Sequence, residues 1–398
     1  MSHRNFVATV QGPARNRPGT KFVREIKDST SRTWLRRFVF SKTQAYIIEF
    51  GNLYCRFYTD HGVIETSPGV PYEISTPFTT TSLTRSDGTF RLRFTQTGDV
   101  LYITSDGQFP VQKMIRLTAT TFSIAPLVTV GGPFLDIDPD NSIVMYASAA
   151  TGAVTITANA AIFTAAHVGS MIFMEQKKAD GIKAWEPGKA IALNDVRRSD
   201  GKNYQALNAA TTGGVKPIHS HGSRFDGDTG VSWDFLEPGY GWVKITGFTS
   251  TTEVSADVLS RLPAGAVGIG NPTPRWAFSA FDAVNGYPDG VAFFRERLCF
   301  SKFLNLYMSA SADYENFNRY DDGGLVTADM AIVTEIAAEE TNNIVWMVGM
   351  SGALLVGTAG EEHTISELTT SQAFGPGNVK VSRQTKHGSA YAGEAIVG

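Results

Sequence analysis

The stretch FFRERLCFSKFLNLYMSASADYENF, residues 293–317, decides how this chain folds. Apolar and polar residues alternate, the pattern breaks at Lys302, resumes from Leu306 and stops at Asp313. A period of two puts successive side chains on opposite faces of a strand, so the stretch predicts two strands and a turn. As one pleated blade it reads: inner strand Arg297–Ser301, turn Lys302–Asn305, next strand Leu306–Ser309. Leu298, Phe300, Leu306 and Met308 are then buried between neighbouring blades. Asp313–Phe317 is expected to form a corner whose polar side chains bond the turn backbone.

The same signal recurs along the chain. YIIEFGNLYCRFYTDHGVIE (46–65) predicts a hairpin about Asp60-His61-Gly62, and FRLRFTQTGDVLYITSDGQFPVQKMIRL (90–117) another about Ser105-Asp106-Gly107. Two further strands are predicted within 154–174, and two more about Thr249–Thr252 in 239–259. Helix signals are scarce: Ala158–Ala166 and Asp329–Glu340 are the best, and both are short.

Repetition carries most information. Val100-Leu-Tyr-Ile-Thr, Leu298-Cys-Phe-Ser and Leu354-Leu-Val-Gly are apolar strands ending in small residues. Each is followed by a second short strand, at Lys113-Met-Ile, Tyr307-Met-Ser and Thr364-Ile-Ser. The last two units lie 56 positions apart (354 − 298), near the roughly 50-residue period of propeller blades. Three units fall short of the about four that close a propeller. The expectation is therefore that further blades follow Gly398 or that the chain is a fragment, with the uncapped ending GEAIVG favouring the latter.

The predicted fold is mainly β, a β-propeller-like platform with an inserted small β-sandwich or barrel module. Residues 1–150 form an N-terminal β region with the first blade, 151–262 a small β module, and 263–398 further, incomplete blades. Within the module, 175–238 is rich in Lys, Asp, Gly and His and reads as an insertion, because the flanking GSMIFM and GWVKITG runs can pair. PAGAVGIGNPTPR (263–275) reads as a linker.

The 398 residues carry 35 Lys and Arg against 38 Asp and Glu, a formal charge of −3, so there is no global basic footprint for gripping phosphates. Cys55 and Cys299 sit apart in apolar runs and read as buried thiols rather than a disulfide. The N-terminal stretch has no apolar h-region and no long apolar run occurs, so synthesis in a cytoplasm without membrane insertion is expected.

The motifs that would carry chemistry fail on spacing or context. Gly181–Lys189 is mis-spaced for a phosphate loop, and Ala190 stands where a hydroxyl is needed. Gly268-Ile-Gly270 runs into Asn-Pro and opens no helix. Gly349-Met-Ser351-Gly352 lies between two strands, whereas a nucleophile elbow needs a strand-to-helix turn. His219, His221, Asp226 and Asp228 could surround a metal, but in a Gly-rich polar loop a solvated reading prevails. The adjacent pairs Asp321-Asp322 and Glu339-Glu340 offer no matched acid and base. No catalytic residue, cofactor or metal is expected, and the chain is read as a non-enzyme.

Trp185, Tyr204 and Trp233 punctuate the insertion, which resembles the small chitin-binding modules of bacterial chitinases. That resemblance implies aromatic faces that stack on sugar rings. The competing reading is that so small a module needs these aromatics for its own core. The alternative function is accordingly a carbohydrate-binding surface protein, or a glycan-degrading enzyme, using 175–238.

Five stretches together resemble the tail tubular protein B, or tail nozzle, family of short-tailed bacteriophages, which is related to packaged-DNA stabilisation proteins. They are Asn16–Val23, Phe38–Gly51, Pro71–Phe78, Phe94–Ile103 and the opening stretch with Gly286-Tyr-Pro ahead of it. The resemblance implies a virion tail protein, assembled in the host cytoplasm, that forms a homohexameric ring below the portal and adaptor. It implies contacts with tail fibre or spike proteins, and a conduit through which DNA is ejected or retained without specific binding. A ring of weakly acidic subunits would let duplex slide, because each neutralised phosphate adds affinity. The 175–238 insertion departs from the family pattern, and the chain is shorter than the family leads one to expect.

Overall fold

The computed structural model describes residues 6–7, 12, 15–17, 19–137, 139–176, 182–228, 230–321, 324–337 and 343–391. Strands dominate, and the helical elements among the described residues are one turn each: Thr80–Leu83, Ala165–His167 and Ala264–Ala266. Neither expected helix forms. Ala153–Ala158 is a strand with Val154, Ile156 and Ala158 buried, a period of two that its Thr residues favour, and only Ala165–His167 coils after it. In the second region Ile332–Glu335 is a strand, held by pairing with Asn305–Met308. Residues 338–340 of that expectation, the Glu339-Glu340 pair, Asp322 and the closing GEAIVG lie outside the described residues.

Two compact units divide the chain, Met1–Arg85 with Arg116–Ile124, and Ser86–Ile115 with Ala125–Gly398. The first division thus falls inside the 1–150 region. Unit 1 is built on a sheet ordered Trp34–Val39, Ala45–Gly51, Tyr54–Thr59, Gly62–Val63, with Glu73–Ser75 also paired to Tyr54–Thr59. A hairpin turns at the expected Asp60-His61 (φ 49° and 64°), where Tyr54–Thr59 pairs with Gly62–Val63. A further one, absent from the sequence reading, turns at Asn52-Leu53 between the two longer strands, where Leu53 takes φ 63°. Phe38, Tyr46, Ile48, Phe50 and Phe57 are its core, and Phe57 stacks on Phe122 at 4.0 Å.

The repeat lies in unit 2, apart from Arg116 and Phe122–Ile124 of its first sheet, which are assigned to unit 1. Three four-stranded antiparallel sheets each run in chain order, the pattern of a propeller blade. The first is Arg93–Thr97, Val100–Thr104, Gln112–Arg116 and Phe122–Pro126. The second is Gly290–Phe294, Arg297–Lys302, Asn305–Met308 and Ile332–Glu335. The third is Ile344–Gly349, Leu354–Thr358, Glu362–Ser366 and Lys380–Thr385. The repeated motifs occupy the second and third strands of every blade.

Arg297–Ser301 is consequently not the inner strand. Gly290–Phe294 precedes it, joined by a turn at Arg295-Glu296 (φ 48° and 55°), and lies against the first strands of both other blades. Its backbone nearly touches the third blade: a Cβ on Gly349 would collide with the Phe293 carbonyl oxygen. Both faces of the second blade are covered. Leu298 and Phe300 pack with Tyr102, Val111 and Phe317, whereas Cys299, Leu306 and Met308 pack with Met347, Leu354, Val356 and Ile365. Double coverage is why Arg297–Lys302 is buried at every position. The Asp313–Phe317 corner is tied by Asn316, whose side chain accepts from the Asn318 amide at 2.9 Å, and by Glu315, which accepts from the Tyr102 hydroxyl at 3.1 Å.

The remaining sheet of unit 2 has six strands, ordered Met145–Ala147, Ala153–Ala158, Glu253–Ser260, Tyr240–Ser250, Met171–Glu175, Trp276–Phe278. Met171–Glu175 and Tyr240–Ser250 pair from Met171↔Lys244 to Glu175↔Tyr240, so the segment between them is an insertion into one sheet, as the flanking runs suggest. The sheet recruits strands outside 151–262. Residues 263–275 do not hang free as a linker: the Thr273 amide donates to the Met145 carbonyl, the Met145 amide donates back, and Gly268 donates to Ala147.

Candidate functional site

Within the insertion, Val196–Ser199, Lys202–Ala206, Ser232–Glu237 and Ser223–Phe225 make a four-stranded sheet, beside a small pair formed by Ala190–Ile191 and Ala210–Thr211. Alternation along Lys202–Ala206 turns Tyr204 inward, and Trp233 comes from the neighbouring strand. Both are fully buried. They pack with Ile191, Ala206 and Val231, and Trp185 lies partly buried against the same cluster. The Tyr204 hydroxyl donates to the His219 carbonyl at 2.6 Å. The faces of Tyr204 and Trp233 are therefore already occupied by protein, whereas Trp185 stays partly exposed.

Asp226 organises this core. Its Oδ2 accepts from the Trp185 indole at 3.0 Å and the Trp233 indole at 2.8 Å, and its Oδ1 accepts from the Gly213 and Val231 amides at 2.9 and 2.8 Å. A buried carboxylate with four donors is satisfied and has no reason to seek a cation. His219 is likewise engaged: its Nε2 lies 3.1 Å from the Trp233 carbonyl, and burial holds its pKa below the ordinary imidazole value. The structure thus spends His219 and Asp226 on folding. Among the described residues no group of three or more His, Cys, Asp or Glu could hold a metal.

Two other constellations look chemical at first sight. Ser170 Oγ donates to Asp282 Oδ2 at 2.7 Å in a cleft of about 350 Å³ that Lys244 and Tyr287 also line. No base sits between serine and aspartate, and the carboxylate also accepts from the Val284 and Asn285 amides, closing the 282–286 loop. Ser351 lies where the Met350 amide donates to the Ala353 carbonyl at 2.9 Å, between two strands. Neither serine is presented as a nucleophile.

A buried cation in the second blade is structural. Arg297 is almost wholly buried and donates to five carbonyls: Ser309 at 2.6 Å, Met330 at 2.7 Å, Asp329 at 3.3 Å, Ala328 at 2.5 Å and Phe374 at 3.4 Å. Burial lowers its pKa. Lys302, also buried, donates to the Ala280 carbonyl at 2.7 Å, and burial lowers its pKa too. Burial pushes the Cys299 thiol up to about 12 and the Cys55 thiol well above its ordinary value, so both are inert. Strand alternation hides these cations from a sequence reading, because Arg297 occupies the position of an ordinary blade residue.

A groove of about 470 Å³ lies in unit 1, on the face of its sheet opposite the core. Leu35, Arg37, Ile47, Glu49 and Tyr58 line it from three adjacent strands, and Val23, Arg24 and Ile26 form a wall. Glu49 is buried and accepts from the hydroxyls of Tyr54, at 2.5 Å, and Tyr58. Burial, with the carboxylate second, raises both phenol pKa values.

No helix among the described residues is long and apolar enough to cross a membrane. No protein-family model matches the chain, and no curated protein sequence matches it.

Proposed function

We propose that the chain is a structural component of a short-tailed bacteriophage tail, a nozzle-type subunit that assembles as a ring and conducts and retains DNA below the portal and adaptor. The observation that carries this reading is the run of three blades packed face to face, with first strands side by side at backbone distance. Such a stack is a rigid platform whose polar interior groups are consumed in holding it together. The stretches that resemble the nozzle family fall on its strands: Phe94–Ile103 is the first hairpin of the first blade, and Phe293–Phe317 runs through the second. Phe38–Gly51 supplies the leading hairpin of unit 1.

Mass photometry of the purified full-length chain, alone and with a portal–adaptor complex, tests the proposal. The expected species is a closed ring of six 43.1 kDa subunits, visible by electron microscopy as a wheel with a central channel. A chain that stays monomeric under both conditions and is missing from purified particles refutes it. Retention on chitin that survives loss of the ring would favour the glycan-binding alternative instead.

A further inference from the structure

Charge is distributed unequally between the two units. Unit 1 holds 13 Lys and Arg against 6 Asp and Glu, a formal +7, while unit 2 holds the other 22 against 32, a formal −10. The near-neutral total conceals a chain with two strongly charged parts of opposite sign. Among the exposed cations of unit 1 are Arg36 and Arg37 in the edge strand and Lys42 in the turn after it.

The unit 1 groove supplies short-range contact to go with that field. Leu35 is 63% exposed, Ile47 40% and Val23 44%, and the three lie around one depression. Isolated exposed apolar residues need no explanation, but apolar residues gathered in a concave site mark a place where something docks. Arg24 in the wall is paired with Glu65 at 3.1 Å, and Arg37 stands at the lip. Glu49 is tied up by its two tyrosines, and Asp60 lies among the lining residues.

We infer that this groove docks unit 2 of a second copy of the chain, making a head-to-tail contact between neighbouring subunits. The inference rests on the ring reading and gives it a contact surface. A part at +7 and a part at −10 attract across molecules, steer encounter and set orientation. Repeated head-to-tail contacts of one kind generate rings when the rotation closes. An apolar floor with two carboxylates among its lining groups suits a protein surface better than a phosphate backbone, whose sites place cations at the centre.

The test is self-association of the full-length chain, followed by sedimentation velocity at 50, 150 and 500 mM NaCl. Two variants accompany the parent: Leu35→Asp removes apolar contact, and Arg37→Glu with Lys42→Glu takes unit 1 from +7 to +3. All three positions are exposed, and an unchanged far-UV spectrum and melting temperature establish that each variant is folded. The parent is expected to associate at least tenfold more weakly at 500 than at 50 mM. Each variant is expected to lose at least tenfold at 150 mM. A parent that forms its ring regardless of salt, with both variants matching it, overturns the contact and leaves the ring standing. Variants that assemble normally but lose binding to a duplex DNA probe overturn it in favour of a nucleic-acid face. A parent that never associates removes the ring and the contact together.

Discussion

Replacing Arg297 with methionine measures how firmly the second and third blades are held. The guanidinium makes three short bonds, to Ser309, Met330 and Ala328, and a longer one reaches Phe374 beyond the third strand of the third blade. Methionine fills much of the volume but donates nothing, so three closely held carbonyls lose their partner inside the protein. At about 1 kcal/mol for each buried acceptor left unsatisfied, the loss is about 3 kcal/mol. Relief from burying the guanidinium charge offsets part of this, but the carbonyls stay buried and keep the balance unfavourable. A domain of unit 2's size shifts by about 2–4 °C per kcal/mol, so the melting temperature should fall by about 6–12 °C. Arg297→Lys keeps the charge but has one nitrogen and cannot span carbonyls contributed by separate segments, so its loss should be about half. Differential scanning calorimetry gives the shift, and hydrogen exchange should place the loosening in 290–309 and 344–366. A methionine variant that melts within about 2 °C of the parent would show that the carbonyls find other partners and that the arginine is not a clamp.

Other outcomes follow from the same physics. Gly349→Ala puts a methyl group against the Phe293 carbonyl oxygen and should destabilise the blade stack by about 1–3 kcal/mol, read from the urea midpoint. Asp226→Ala strands two indole donors and two amides, and should unfold the inserted module early, seen as a separate tryptophan-fluorescence transition, at a cost of about 3–5 kcal/mol. Trp233→Ala should do the same by emptying the module's centre, about 3–5 kcal/mol, so any loss of glycan retention in that variant must be checked against folding. Burial lowers the pKa values of His219 and His363 first of all, against opposing bonds and the Glu361 carboxylate. The unfolded chain therefore binds protons that the folded one refuses, and stability should decline as pH drops below about 6.5. His363→Gln should flatten that decline in a thermal-melt series from pH 7.5 to 5.

Much of the architecture was legible because strand alternation and turn chemistry are local. The two-residue repeats located the second and third strands of all three blades, and the flanking runs identified the insertion. What failed was whatever depended on partners far away in sequence. Alternation does not reveal Gly290–Phe294 as the innermost strand, because GVAFF does not alternate; with both faces covered, a strand has no polar side to display. Asn52-Leu53 was missed as a turn because leucine with a positive φ breaks the usual preference for Gly or Asn, and surrounding pairing has to enforce it. Ala158–Ala166 looks helical from its alanines, yet the strand ends at Ala158 and the Asn159 and Phe163 amides donate to the distant Val144 and Thr251 carbonyls instead of to a helical ladder. The aromatics of the insertion carried no local sign of being inside or outside. Only the carboxylate of Asp226, reaching two indoles from across the module, decides it.

The insertion leaves its parent sheet at Glu175 and returns at Tyr240, and these two residues face each other across one ladder. The parent strands are therefore already in register at the point of departure, and nothing in their pairing depends on what the excursion contains. A tight turn could close the same gap. The small module is thus a separable excursion: shortening it to a turn would leave the ladder beneath it in the same register.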